Sequence, residues 1–173
     1  MAGITLNRVT NANLYMNGNS LLGRSEQVDL PDLSALETEH KALGMVGTIM
    51  LPTGFDKLEG KIKWNSYYPD VWLAFGNPFL PVSLQCRSSI DTYNSQGRTS
   101  QVSLVTFLTI TMKKLPLGSF KPKDNADFQS EFTCTYVKQQ VAGADVFELD
   151  VLANIFKVGG VDQLATYRLN IGG

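Results

Sequence analysis

Apolar and polar residues alternate with a period of two along much of this chain. That period predicts strands half-buried in an antiparallel sheet. Over residues 57–64, Leu58, Ile62 and Trp64 fall on one face and Lys57, Glu59, Lys61 and Lys63 on the other. Over 128–136, Phe128, Phe132, Cys134 and Tyr136 share a face opposite Gln129, Glu131, Thr133 and Thr135. Over 147–155 the apolar set is Phe147, Leu149, Val151, Ala153 and Ile155, set against Glu148, Asp150 and Asn154. Residues 101–112 are rich in Val, Thr, Leu and Ile, with Val102, Leu104, Leu108, Ile110 and Met112 in phase. Shorter strands are predicted at 12–16, 21–30, 47–51 and 81–90.

The punctuation between these runs sets the architecture. Asn17-Gly18 is a tight-turn signal for a hairpin. Residues 91–100 and 118–127 are dominated by polar and turn-forming residues and read as loops. One helix stands out. Pro69 suits a first helical position, and Val71, Trp72 and Phe75 follow at helical spacing. Gly76 offers a stop and Pro78 forbids continuation. Residues 31–43, with Leu33, Leu36 and several acids, read as a helical turn or a long excursion. Residues 161–168 read as a short helix before the final tail. No repeat or Pro/Gly/Ser-rich linker divides residues 1–173, so a single domain is expected. The fold class is mainly β: an antiparallel β-sandwich or partly closed barrel with one packed α-helix.

Composition narrows the functional classes. The chain is 43% hydrophobic, which is enough for a sizeable core, but only 18% charged. A charged share below the usual quarter points to surface that is meant to be covered. The formal net charge of -1 gives no global field to draw in nucleic acid or an anionic membrane. No apolar stretch of about 18 residues exists to span a bilayer, and residues 1–13 lack the apolar segment of a secretory signal. Cys86 and Cys134 are too few for a disulfide scaffold. Both read as reduced side chains packed in strands, against the alternative of a Cys86–Cys134 bridge.

Motifs for chemistry are sparse. The single histidine, His40, lies near Glu37 and Glu39 in a segment that reads as solvated, without the companions that catalysis or metal binding needs. There is no Cys-x-x-Cys pair, no phosphate-cradling loop with its lysine, and no nucleophile elbow. Glu148 and Asp150, two residues apart on a strand, point to one face and have the spacing for acid/base work. On an outer strand face such a pair is more simply solvated. In a ring of subunits it would line a channel, where carboxylates repel passing DNA phosphates. The mixed face of Lys57, Glu59, Lys61 and Lys63 is the other candidate channel lining. The lysines around 113–123 read as a solvated loop. No cofactor is expected, and no enzyme.

Several segments in order resemble the major tail tube proteins of contractile-tailed phages and of phage-tail-like bacteriocins. The opening run Asn13-Leu14-Tyr15-Met16-Asn17-Gly18-Asn19-Ser20-Leu21-Leu22-Gly23 is similar to that family's first hairpin. Gln27-Val28-Asp29-Leu30-Pro31 resembles a strand ending at Leu-Pro, and Ala42-Leu43-Gly44-Met45-Val46-Gly47 the Gly-rich loop. Residues 54–64, followed by Tyr68-Pro69-Asp70, resemble its strand-then-helix passage, and Cys134-Thr135-Tyr136 also fits. The most specific match is the ending, Phe156-Lys157-Val158-Gly159-Gly160-Val161-Asp162-Gln163-Leu164, then Arg168-Leu169-Asn170-Ile171-Gly172. Residues 79–130 match mainly in length and pattern, and the loop at 118–127 is less acidic than the family pattern.

The resemblance implies a non-catalytic subunit whose sheets join edge to edge into a hexameric ring. Rings then stack into a hollow tube inside a contractile sheath. Implied partners are further copies of itself, the tail sheath protein, baseplate or spike and tape-measure proteins, and DNA or ions passing through the lumen without specific binding. The implied place is a virion tail or tailocin particle assembled in the bacterial host cytoplasm. On that basis residues 40–54 are expected to form a long inter-subunit loop, with Met45, Val46, Ile49, Met50 and Leu51 packing on a neighbour. The alternative is that these residues enter their own core. The tail over 161–173, with Arg168, Asn170 and Ile171, and the N-terminal arm 1–11 are the other expected ring-to-ring contacts, against frayed termini. Two other readings compete. One is a secreted ring protein of the type VI kind. The other is a monomeric β-barrel that binds a ligand, which requires a convergent polar pocket.

Overall fold

A computed structural model describes residues 3–173. The alternation in the sequence becomes one large antiparallel sheet. Strand β1 (Leu6–Met16) turns through Asn17 and Gly18 into the two-residue β2 (Asn19–Ser20). Both turn residues have positive φ, 48° and 82°, the left-handed pair that matches the twist of a hairpin and that Asn and Gly adopt at low cost. Then come β3 (Ser25–Asp29), β4 (Ala35–His40), β5 (Ile49–Phe55), β6 (Leu58–Trp64), α1 (Pro69–Phe75), β7 (Val82–Asn94) and β8 (Gly97–Lys114). The chain ends with β9 (Phe128–Val141), β10 (Ala144–Asp150), β11 (Ile155–Val158), β12 (Val161–Asp162) and α2 (Ala165–Asn170).

The sheet runs in the order β12-β11-β10-β9-β8-β7-β1-β2 and forks at β9. The first half of β9 pairs with β6, which in turn holds β3, while its second half pairs with β10. The sheet does not close into a barrel. Strands β2 and β12 end the path with no further partner among the described residues. One row across five strands, Leu149–Val137–Leu108–Leu84–Met16, is buried along its whole length. A second run joins Leu58, Cys134 and Ile110. Helix α1 covers this apolar face with Val71, Trp72 and Phe75, as its spacing predicts. Gly76 ends it, its N–H donating to the Trp72 carbonyl at 2.8 Å. Both cysteines are buried in strands with free thiols.

Several expectations are corrected. Residues 91–100 are not a loop. Strands β7 and β8 run on through them to a turn at 95–96. Their polarity has another cause: the hairpin extends beyond the core, so neither face needs apolar residues. Residues 31–43 hold strand β4 (Ala35–His40) instead of a helical turn, and of residues 40–54 only 41–48 are a loop, the tip of the β4–β5 hairpin, while 49–54 belong to β5. The strand expected over 21–30 is broken by a turn and begins at Ser25. The tail helix starts at Ala165, after β12. In the arm over 1–11, residues 1 and 2 lie outside the described residues, and from Leu6 onward it is part of β1, paired with β7.

Two phase errors share one kind of cause. A β-bulge at Thr135 of β9, which has no partner of its own between Thr109 and Ile110 of β8, shifts the phase of β9 by one residue. Val137 therefore enters the core and Tyr136 turns to the polar face. The apolar run over 147–155 is likewise two strands, interrupted after Asp150. The Asp150 Oδ1 accepts the N–H groups of Leu152 and Ala153, both at 3.0 Å, and caps a turn that leaves Val151 exposed.

One buried polar pair sits inside the apolar face. The Trp64 indole N–H donates to the Ser130 hydroxyl at 2.9 Å, and Ser130 is fully buried. Ser130→Ala removes the acceptor and leaves the indole donor unpaired away from water. The expected loss is about 1–3 kcal/mol of unfolding free energy, read as a lower urea midpoint with an unchanged slope.

Candidate assembly surface

Both strand faces singled out as channel linings lie on the same side of the same sheet. On β6, Leu58, Ile62 and Trp64 point to the core, so Lys57, Glu59, Lys61 and Lys63 take the opposite face. Glu59 is aligned with Thr133 and Thr111, whose hydroxyls are 2.9 Å apart. On the other branch Lys157, Glu148, Lys138, Phe107, Gln85 and Tyr15 form one row across β11, β10, β9, β8, β7 and β1. Strand β9 belongs to both branches, and it makes the two linings one continuous polar surface behind the core.

Most of the charges on this surface are paired. Glu59 lies 3.1 Å from Lys57 and 2.9 Å from Lys113, and Lys63 lies 3.0 Å from Glu26. Lys138 meets Asp145 and Lys157 meets Glu148, each at 2.9 Å. Glu148 also accepts the Tyr136 hydroxyl at 3.0 Å. The Lys157 ammonium, hydrogen-bonded to Glu148, holds its carboxyl below the ordinary range, and the Tyr136 hydroxyl adds to this. Burial, and then the neighbouring Glu148, pushes the Tyr136 phenol up to about 12. The Glu148–Asp150 pair is thus committed elsewhere. One carboxylate is held by a lysine and a tyrosine, and the other caps a turn.

The depressed Glu148 fixes the sign of one pH effect. As pH falls, the unfolded chain protonates this group at its ordinary value near 4.5, before the native state does. The stabilisation is therefore complete above that value and is lost as pH falls through the lower native value. Lys157→Met is expected to weaken this acid dependence. Thermal melts of the variant, taken from neutral pH downward, should show a smaller fall in Tm on acidification than melts of the unaltered chain.

The β4–β5 hairpin stands apart from the main sheet. It pairs only with itself, from Ala35↔Phe55 to His40↔Ile49. Met45, Val46, Ile49, Met50 and Leu51 are all exposed, and Leu43 and Val46 at the tip are as open as in an extended chain, at 105% and 108%. They do not enter their own core. His40 is an exposed strand residue. At the C-terminus Arg168 is spent inside the subunit: one nitrogen meets Asp162 at 2.6 Å and another donates to the Asn154 carbonyl at 2.8 Å. Asn170 and Ile171 are exposed at the end of α2.

Between the hairpin root and α2 lies a cleft of about 500 Å³, lined by Phe55, Leu149, Phe156, Leu164 and Tyr167 together with Asp150 and Asn154. The rings of Phe55 and Phe156 meet at a tilt, 4.7 Å between centroids, and hold the hairpin root there. The carboxylate in the lining already caps a turn, and the Asn154 carbonyl already accepts from Arg168. No convergent polar set results. Among the described residues no group of three or more His, Cys, Asp or Glu side chains is placed to hold a metal. The thiols are shielded: burial pushes Cys134 up to about 12 and raises Cys86 as well. The described surface combines an open sheet, a largely charge-paired back and a bare apolar hairpin.

A sequence profile described as phage tail tube protein FII matches residues 6–172. The chain belongs to the phage tail tube protein family. It is 26% identical over 166 residues to the tail tube protein of Escherichia phage P2, covering 92% of this chain and 94% of that one. It also superimposes on a chain of the sheath-tube complex of an extracellular contractile injection system in the extended state. That match has a TM-score of 0.54 at 13% identity, over 75% of this chain and 87% of the other. A chain of the sheath/tube terminator of such a system matches with a TM-score of 0.53 at 14% identity, over 75% and 92%. At these identities the two likenesses establish the fold. Family membership places the chain among structural tail tube proteins, a non-enzymatic family.

Proposed function

We propose that six copies of this chain close edge to edge into a ring and that rings stack into the hollow tube of a contractile tail. The observation that carries this is the open sheet. Strand β1 keeps its outer edge free except where β2 covers Tyr15 and Met16, and β12 ends the far side. A long unpaired edge is a template for pairing with another chain. A contact between two different edges of identical subunits repeats around a circle until it closes. The polar face then turns to the lumen, where its paired charges give DNA or ions little to hold.

The exposed hairpin over 40–54, with Met45, Val46, Ile49, Met50 and Leu51, and the end of α2, with Asn170 and Ile171, then reach the next ring. A contractile sheath surrounds the tube. Baseplate or spike and tape-measure proteins bound it, and assembly takes place in the cytoplasm of the bacterial host. Electron microscopy of the purified chain over a range of concentrations, beside its elution volume, tests this. Hollow rings of six and stacked tubes are expected. A monomer at every concentration, unchanged by an initiating tail partner, overturns it.

A further inference from the structure

The hairpin tip and the cleft beneath its root are complementary, yet one chain cannot join them. Every residue of β4 is exposed, and on β5 only Phe55 is partly covered. A two-stranded ribbon with nothing packed on it is marginal in water. The tip presents Leu43 and Val46 wholly to solvent. The cleft is apolar, its carboxylate already capping a turn, and roomy enough at about 500 Å³ for a pair of aliphatic side chains. Pro52, Thr53, Gly54 and Phe55 form both the hairpin's root and the cleft's wall. Six strand residues at about 3.4 Å each carry the tip roughly 20 Å from that wall. The hairpin therefore cannot fold into its own cleft.

A projecting apolar knob and a separate apolar recess on one chain make a contact that repeats head to tail. Building on the tube reading above, we propose that the cleft between the hairpin root and α2 is the socket for the hairpin tip, Leu43 and Val46, of a second copy in the adjacent ring. Each subunit then both gives a tip and receives one. The received tip packs against the root of the receiving hairpin, so hairpins follow one another in series along the tube. One end of any stack carries unused tips and the other carries empty sockets, which makes growth directional.

The test is disulfide trapping in the full chain. Val46→Cys and Tyr167→Cys are combined; both positions are exposed, and native Cys86 and Cys134 are buried. Tubes of the double variant, mildly oxidised, are expected to give a ladder of covalent dimers, trimers and longer chains on a denaturing gel. Each single variant and the dissociated double variant should give no ladder. Val151→Arg, on the exposed lining of the cleft, is a second test, expected to leave the Tm unchanged and to abolish tubes where the unaltered chain forms them. Tubes without a ladder, or normal tubes from Val151→Arg, overturn the socket while leaving the tube reading standing. Failure of the unaltered chain to form rings or tubes overturns the tube reading itself, and the socket with it.

Discussion

Replacing Gly60 by valine is expected to leave little folded protein. Gly60 sits in the middle of β6, directly opposite Phe132 on β9, and Phe132 is completely buried. A Cβ built at Gly60 falls inside contact distance of the Phe132 ring, 2.6 Å from Cε2, and 2.7 Å from the Asp29 carbonyl oxygen. Neither neighbour yields. The ring is packed on all sides, and the carbonyl belongs to the end of β3, held in register by β6. The position has no positive φ, so the demand is for space and not for backbone freedom. Even Gly60→Ala is expected to cost about 1–3 kcal/mol through overpacking, and valine more. Urea or thermal unfolding of the alanine variant, and the soluble yield of the valine one, measure this. Because the clash has one main partner, Phe132→Leu should recover part of the loss from Gly60→Ala. Simple additivity of the two changes would refute this explanation.

The second large effect falls on assembly and spares the fold. Val46→Asp places a carboxylate at a tip residue that touches nothing in the lone subunit. The Tm of the subunit should therefore not move. In a stack, the same change removes a buried aliphatic side chain worth about 1.5–3 kcal/mol and puts a charge in its place. With tenfold in affinity for every 1.4 kcal/mol, at least about tenfold more protein should be needed for tubes to appear in electron micrographs. Met50→Asp, partway down the hairpin, is expected to act in the same direction. A drop in Tm for either variant would mean that the hairpin packs on its own subunit. Tubes at the ordinary concentration would remove the hairpin from the ring-to-ring contact.

Much of this was legible in residue order. The alternation around Leu58, Ile62 and Trp64, the Asn17-Gly18 turn and the helix begun by Pro69 all read correctly, because each rests on local geometry. The apolar set at 45–51 stood out as surface meant to be covered, and it is bare in the subunit. The misreadings arise where the chain's neighbours are distant. Tyr136 changes face because Thr135 before it bulges out of register with β8, a mismatch set by the pairing of two distant strands that nothing in the run 128–136 announces. The turn after Asp150 interrupts an apolar series that could equally have continued as strand. Residues 91–94 and 97–100 are strands without an aliphatic side chain, because the ladder there is held by the backbone beyond the reach of the core. The hairpin over 35–55 shows no clear alternation because neither of its faces is buried within the subunit.

By itself, then, the sequence determined most of the stretches that pair as strands, which face of most of them seeks the core, where the one packed helix begins and ends, and to which family the chain is similar. Period, turn chemistry and proline or glycine punctuation are properties of a few consecutive residues. Only the tertiary structure decided that the sheet forks at β9, that the Lys57–Lys63 face and Glu148 share one polar surface, that Arg168 is used up within its own subunit, and that a cleft opens at the hairpin root. Those facts depend on which strand lies beside which. That is settled by contacts between residues far apart in the chain, whose energy no local pattern carries.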